Sequence, residues 1–104
     1  MFNSIKEMLG FGPATDYAQL IKDGAMIVDV RTPGEYASGH IKGSVNIPVD
    51  QLRTGMSKLK NKQTPIITCC ASGMRSATAK SILVSSGYDQ VYNGGGWYGL
   101  QSKL

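Results

Sequence analysis

Two thiols stand side by side at Cys69 and Cys70, followed by Ala71-Ser72-Gly73-Met74-Arg75-Ser76. An apolar, β-branched run, Pro65-Ile66-Ile67-Thr68, leads in, and a helical run from Ser76 to Val84 leads out. A strand that feeds a helix through such a loop gathers backbone N–H groups at one spot. The helix N-terminus adds its partial positive charge there. A thiol in that cup ionises more readily than a free one, so Cys70 is the expected thiolate nucleophile. Gly73 lets the loop curl, because glycine tolerates positive φ and close backbone approach. Cys69 ends the strand, where side chains alternate, and is expected to point away from Cys70.

The remaining elements must hold this loop. Phe2, Ile5, Met8 and Leu9 recur at helical spacing in an N-terminal arm, residues 1–12, which Gly10, Gly12 and Pro13 break. Thr15-Asp16 starts a helix with Tyr17, Leu20 and Ile21 on one face, and Gly24 stops it. Ala25 to Val30 is a continuous apolar run with one acid, the pattern of a strand buried on both faces of a parallel sheet. Pro33 suits the first helical position and Glu35 the first turn, predicting a helix over Pro33 to Ser38. Ser44 to Ile47 is a short strand, and a helix with Leu52, Met56 and Leu59 on one face follows, weakened by Gly55. Pro65 to Cys69 is the next strand, Ser76 to Ser86 the helix after the loop, and Gln90 to Tyr92 a last strand. Gly94 to Gly96 reads as a loop bordering the mouth, and Trp97 to Lys103 as a terminal helical turn or two. Strands alternating with helices predict an α/β layering with a mostly parallel sheet. Ligands in such folds sit beyond the C-terminal ends of the strands, which is where Cys70 falls.

Composition narrows the partners. At 104 residues the chain is one domain, 1–104, with an ordinary globular composition. Its net charge of +4 suits an anionic substrate mildly. Lys58, Lys60 and Lys62 form the one basic cluster, without interleaved aromatics, so no nucleic-acid partner is expected. Nothing resembles a signal peptide or a membrane span. Adjacent Cα atoms lie about 3.8 Å apart, below the roughly 4.4 Å needed for an ordinary disulfide. Two free thiols then point to a cytoplasmic protein. One histidine and two adjacent thiols do not match a zinc spacing, so neither a metal nor a cofactor is expected, and a monomer or weak dimer is.

Three segments in order carry a resemblance. They are Val28-Asp29-Val30-Arg31-Thr32-Pro33-Gly34-Glu35-Tyr36 with Gly39-His40-Ile41-Lys42-Gly43-Ser44-Val45-Asn46-Ile47-Pro48, then Cys70 to Ser76, then Val91-Tyr92-Asn93-Gly94-Gly95-Gly96-Trp97. Together they resemble the single-domain rhodanese (sulfurtransferase) family over nearly the whole chain. The resemblance implies a small, mostly parallel five-stranded sheet flanked by helices on both faces. Its first strand falls near Phe11 to Ala14, a stretch with little strand character. It also implies a reaction. Cys70 attacks the outer sulfur of a donor such as thiosulfate or a persulfide, becomes a persulfide, and passes the sulfur to a thiol, a protein cysteine or cyanide. Such covalent catalysis in two displacements predicts ping-pong kinetics.

Under that resemblance Ala71, Ser72, Gly73, Met74, Arg75 and Ser76 form the substrate cup, and Trp97 is a secondary pocket wall. The Arg75 fork binds the oxyanion end of thiosulfate, or else bonds backbone carbonyls to hold the loop. Asp29, Arg31 and Glu35 are expected to form one polar cluster that pins the loop after their strand, and His40 to make a structural hydrogen bond. Cys69 is either a buried small hydrophobe or a resolving thiol. Two alternatives are a non-catalytic module that binds a partner or relays its sulfur, and phosphatase or arsenate-reductase chemistry. The latter would count the loop from Cys69, whose third following residue is Ser72 where that signature has glycine. Counted from Cys70, Gly73 falls at the third position and Arg75 at the fifth.

Overall fold

The computed structural model describes residues 14–59 and 61–104. The N-terminal arm, and all but Ala14 of the expected edge strand, lie outside the described residues. Helix α1, Tyr17–Lys22, starts at Asp16, whose carboxylate accepts the Gln19 N–H at 3.0 Å. Strand β1, Met26–Asp29, leads to α2, Pro33–Ser38. The cap of α2 is reciprocal. Thr32 Oγ1 accepts the Glu35 N–H, and the Glu35 carboxylate accepts the Thr32 N–H, with Pro33 in the first turn.

Strand β2 is only Val45–Asn46. The helix expected around Leu52, Met56 and Leu59 is instead broken into a 3-10 turn at Val49–Gln51, a short α3 at Leu52–Gly55 and a second 3-10 turn at Met56–Lys58. Gly55 marks a close approach, since a Cβ there would sit 2.9 Å from Ile47 Cγ2. Strand β3, Ile66–Cys70, continues one residue further than expected, and helix α4, Met74–Ser85, starts two residues earlier. Strand β4 runs from Val91 to Gly96 and takes in the three glycines read as a loop. Helix α5, Trp97–Gln101, follows directly.

The described residues form a four-stranded parallel sheet in the order β2-β1-β3-β4, in place of the five strands that the resemblance implied. Helices cover both faces, as expected. On one face Val28, Val30, Ile66, Cys70 and Val91 pack with Leu52 of α3 and with Ala79 and Leu83 of α4. On the other Ile27, Ile67 and Cys69 pack with Leu100 of α5, with Tyr17 and Leu20 of α1 at the margin. Strand β3 is buried along its whole length, which explains its unbroken apolar and small-residue sequence. Among the described residues no helix is long and apolar enough to cross a membrane.

Candidate active site

The two thiols belong to opposite faces of β3, because successive side chains in a strand alternate. Both are unbridged and buried. Cys69 lies in the dry layer under α5. Burial pushes its thiol up to about 12, and the Asp29 carboxylate adds to this despite the opposing charge of Arg31. It is a buried small hydrophobe.

Cys70 sits where β3 gives way to α4. Its Sγ accepts the Gly73 N–H at 2.9 Å and the Ser76 N–H at 3.4 Å, and lies 3.5 Å from Ser76 Oγ. Ser76 is the third residue of α4, and no side chain caps that helix. The sulfur therefore takes the place of a capping oxygen on one of the helix's unpaired N–H groups. Burial opposes ionisation of Cys70 most strongly among the single effects. The Ser76 hydroxyl and the N–H groups of Ser76, Gly73 and Ser72 together outweigh it, so the thiol is held below its ordinary value.

The backbone makes this possible at two glycine sites. Gly73 has φ +104°, which lets its N–H turn back onto Sγ. Gly94 lies where a Cβ would come within 2.9 Å of Ile67 Cγ2, Leu100 Cδ2 and the Thr68 carbonyl oxygen. That close approach is why the glycine run belongs to a strand and not to a loop. The β3–β4 register shifts between Thr68 and Cys70, pairing Cys70 with Gly96. The bend brings Asn93 beside the cup. Asn93 Oδ1 accepts from Ser76 Oγ at 2.6 Å and from the Gly95 N–H at 2.9 Å. Thr68 Oγ1 donates to the Ser76 carbonyl at 2.9 Å. Neither Asn93 nor Thr68 stands out in the sequence. An asparagine just ahead of a glycine run was the available signal for the first.

The polar cluster expected from Asp29, Arg31 and Glu35 is two clusters. Arg31 lies buried on Asp29, with Nε at 2.9 Å from Oδ1 and Nη2 at 2.7 Å from Oδ2. It also donates to the Gly39 and Glu35 carbonyls, which pins the segment after β1. The Glu35 carboxylate turns instead to Arg75, with Nη1–Oε1 at 2.7 Å and Nη2–Oε2 at 3.0 Å. The fork read as binding the donor or backbone carbonyls is thus engaged by a side chain 40 residues earlier in the chain.

The other candidates divide. Ala71 and Ser72 are exposed loop residues, and Met74 is 79% exposed. Trp97 lies on the Cys69 face, stacked over the Arg31 guanidinium at 4.8 Å and against Gly39, so it packs the scaffold and does not wall the Cys70 cup. His40 stacks on Tyr36 and places Nδ1 2.7 Å from the Tyr36 carbonyl oxygen, a local structural contact. A cleft of about 390 Å³ between Pro33, Pro48, Gln51 and Lys58 includes no residue of the Cys70 loop.

Residues 13–103 match a family model described as the Rhodanese-like domain. Thiosulfate sulfurtransferase PspE of Escherichia coli (strain K12) is 34% identical over 70 residues, 66% of this chain and 67% of that protein. Uncharacterized protein YqhL of Bacillus subtilis (strain 168) is 35% identical over 69 residues, 66% of this chain, and the chain spans about half of that relative's length, 54%. A solved structure described as a rhodanese with anions from E. coli superposes with a TM-score of 0.67 at 32% identity, covering 71% of this chain and 88% of that one. With the fold, the loop after β3 and the family match all in agreement, the chain belongs to the rhodanese-like domain family.

Proposed function

We propose that the protein is a rhodanese-type sulfurtransferase that carries sulfane sulfur as a persulfide on Cys70. The observation that carries this reading is the sulfur's position on the N–H groups of Gly73 and Ser76 at the start of α4. Those donors favour the thiolate over the thiol, and a thiolate is the form that attacks sulfur.

In the first displacement the Cys70 thiolate attacks the outer sulfur of the donor. A new S–S bond forms, the donor's S–S bond breaks, and the leaving group departs with the electron pair. It is sulfite when thiosulfate is the donor and a thiolate when a persulfide is. In the second displacement a thiophilic acceptor (cyanide, a small thiol or a protein cysteine) attacks the terminal sulfur and returns Cys70 as its thiolate. Both leaving groups depart as anions, so no general acid is needed. Residues 71–76 hold the transferred sulfur with fixed N–H dipoles that need no reorganisation during the reaction. Geometry favours Cys70 over the rival register from Cys69, whose thiol lies on the opposite face of the sheet with its ionisation suppressed. PspE, named a thiosulfate sulfurtransferase, supports the same reaction class.

The test is thiocyanate formation from thiosulfate and cyanide, with intact-mass detection of a sulfur adduct on Cys70. Cys70→Ser is expected to lower turnover by at least about a thousandfold, the scale of removing a covalent nucleophile, and to abolish the adduct. A Cys70→Ser protein with wild-type turnover would overturn the assignment.

A further inference from the structure

The cup's charge is unusual for a site that would accept an anion. Among residues 70–76 Arg75 is the one cation and the Cys70 thiolate the one anion. Each of the Arg75 Nη atoms gives one N–H to Glu35, at 2.7 and 3.0 Å, in a pair whose side chains are about a third exposed. Glu35 is no passing partner. Its Oε1 also accepts the Thr32 N–H at 3.0 Å and the Thr32 hydroxyl at 3.1 Å. The cap of α2 therefore holds the carboxylate in place while Arg75, from the first turn of α4, reaches across to it. Arg75 and the Thr32 donors keep Glu35 ionised, with its pKa lowered to about 2. The pair is formally neutral. The loop N–H groups and the helix start, equivalent to roughly half a positive charge, are already shared with the Cys70 thiolate. A monoanionic donor is therefore repelled less than a dianion.

We propose that the Glu35–Arg75 pair makes the Cys70 cup selective for donors of low negative charge, monoanionic persulfides, over the thiosulfate dianion, with Glu35 as the specificity-determining positioning residue. The inference rests on the sulfurtransferase reading above and chooses between its two donor classes. The chemistry is the same for both donors: Cys70 gains the outer sulfur, and either a thiolate or sulfite leaves with the electron pair. Only the charge brought to the cup differs.

The experiment compares kcat/KM for thiosulfate with kcat/KM for the persulfide of N-acetylcysteine methyl ester, which has an uncharged body. Glu35→Gln preserves the capping box, because glutamine serves at the same position, and thermal melting checks the fold. Releasing the Arg75 charge is expected to raise the thiosulfate-to-persulfide ratio about tenfold and to make it more salt-dependent, because an uncompensated cation attracts a dianion more than a monoanion. Arg75→Gln leaves Glu35 uncompensated and is expected to lower the ratio about tenfold. The double variant restores neutrality and is expected to return the ratio to within about twofold of wild type, because coupled charges cancel in the cycle. A purely structural role for Glu35 would lower both donors together. An unchanged ratio in Glu35→Gln, or a double variant no closer to wild type than the singles, would overturn the proposal.

A wild type that transfers sulfur from neither donor would instead overturn the sulfurtransferase reading. The charge argument is then read from the thiosulfate concentration that protects Cys70 from alkylation. A roughly tenfold lower midpoint in Glu35→Gln supports it, and an unmoved midpoint overturns it.

Discussion

Cys69 and Cys70 are chain neighbours of the same chemistry, yet the fold drives their thiols in opposite directions. Cys69 faces Ile27, Ile67 and Leu100, and burial pushes it up to about 12. Cys70 is buried too, but it ends its strand against the Gly73 and Ser76 N–H groups, which hold it below its ordinary value. Burial alone therefore does not decide reactivity. The difference comes from whether the strand turns into a helix start beside the sulfur. A one-residue shift of β3 would exchange the two environments. Its register, Asp29 beside Cys69 and Gly96 beside Cys70, guards against that.

The largest way to break this contrast is alkaline pH. A thiol whose folded pKa lies above its unfolded one stabilises the fold fully below the unfolded value. That stability is lost as pH rises toward the folded value. For Cys69 the window runs from about 9 to about 12. Between pH 9 and 11 the loss is expected to reach about 2 kcal/mol, the slope approaching about 1.36 kcal/mol per unit. Cys70 has the opposite sign, because its folded pKa is depressed. The clean readout is therefore urea unfolding of wild type against Cys69→Ala across this range. Wild type should lose stability more steeply. Parallel pH profiles would mean that Cys69 is not in a dry environment.

Much of this contrast is legible in the residues. Alternation separates the two cysteines, and Gly73 marks the turn of the loop, because both follow from local backbone rules. Pro33 and Glu35 likewise mark α2 by first-turn chemistry alone. What is not legible depends on contacts between distant segments. Gly94 to Gly96 reads as a loop by composition, yet the strand continues there because Ile67, Leu100 and the Thr68 carbonyl leave no room for a Cβ at Gly94. Leu52 to Leu59 has a helical face, but Ile47 pressing on Gly55 accompanies its division into short turns. Sequence proximity groups Glu35 with Asp29 and Arg31. The Glu35 carboxylate instead meets Arg75, which reaches it from the start of α4, 40 residues later. Asn93 was hidden for the same reason, since its importance lies in meeting Ser76 across the sheet.

A smaller perturbation sharpens the contrast by touching only one side of it. The Ser76 hydroxyl, whose one proton can serve either Asn93 Oδ1 or an ionised sulfur, is 3.5 Å from Cys70 Sγ and has no role at Cys69. Ser76→Ala should raise the Cys70 pKa and slow its alkylation at pH 7 roughly five- to tenfold, through a smaller thiolate fraction. The plateau rate at high pH should stay near that of wild type. A drop in the plateau with an unmoved midpoint would mean that Ser76 governs access and not ionisation.

The smallest expected effect is the most pointed test of the pair. Cys69→Ala removes one buried sulfur from the layer under α5, costing about 1 kcal/mol at neutral pH as a small cavity. Its Sγ belongs to the face of the sheet opposite Cys70, and Gly73, Ser76 and Ser72 supply the donors that lower Cys70. Both the alkylation profile of Cys70 and sulfur transfer to an acceptor should therefore match wild type within about twofold, as for sites without shared partners. A resolving thiol would behave otherwise. Loading of Cys70 would proceed, but release to the acceptor would slow, and the sulfur adduct would accumulate on Cys70. Mass spectrometry of the loaded protein during turnover separates the two cases. Accumulation of that adduct in Cys69→Ala would show that strand alternation does not isolate the thiols during the reaction.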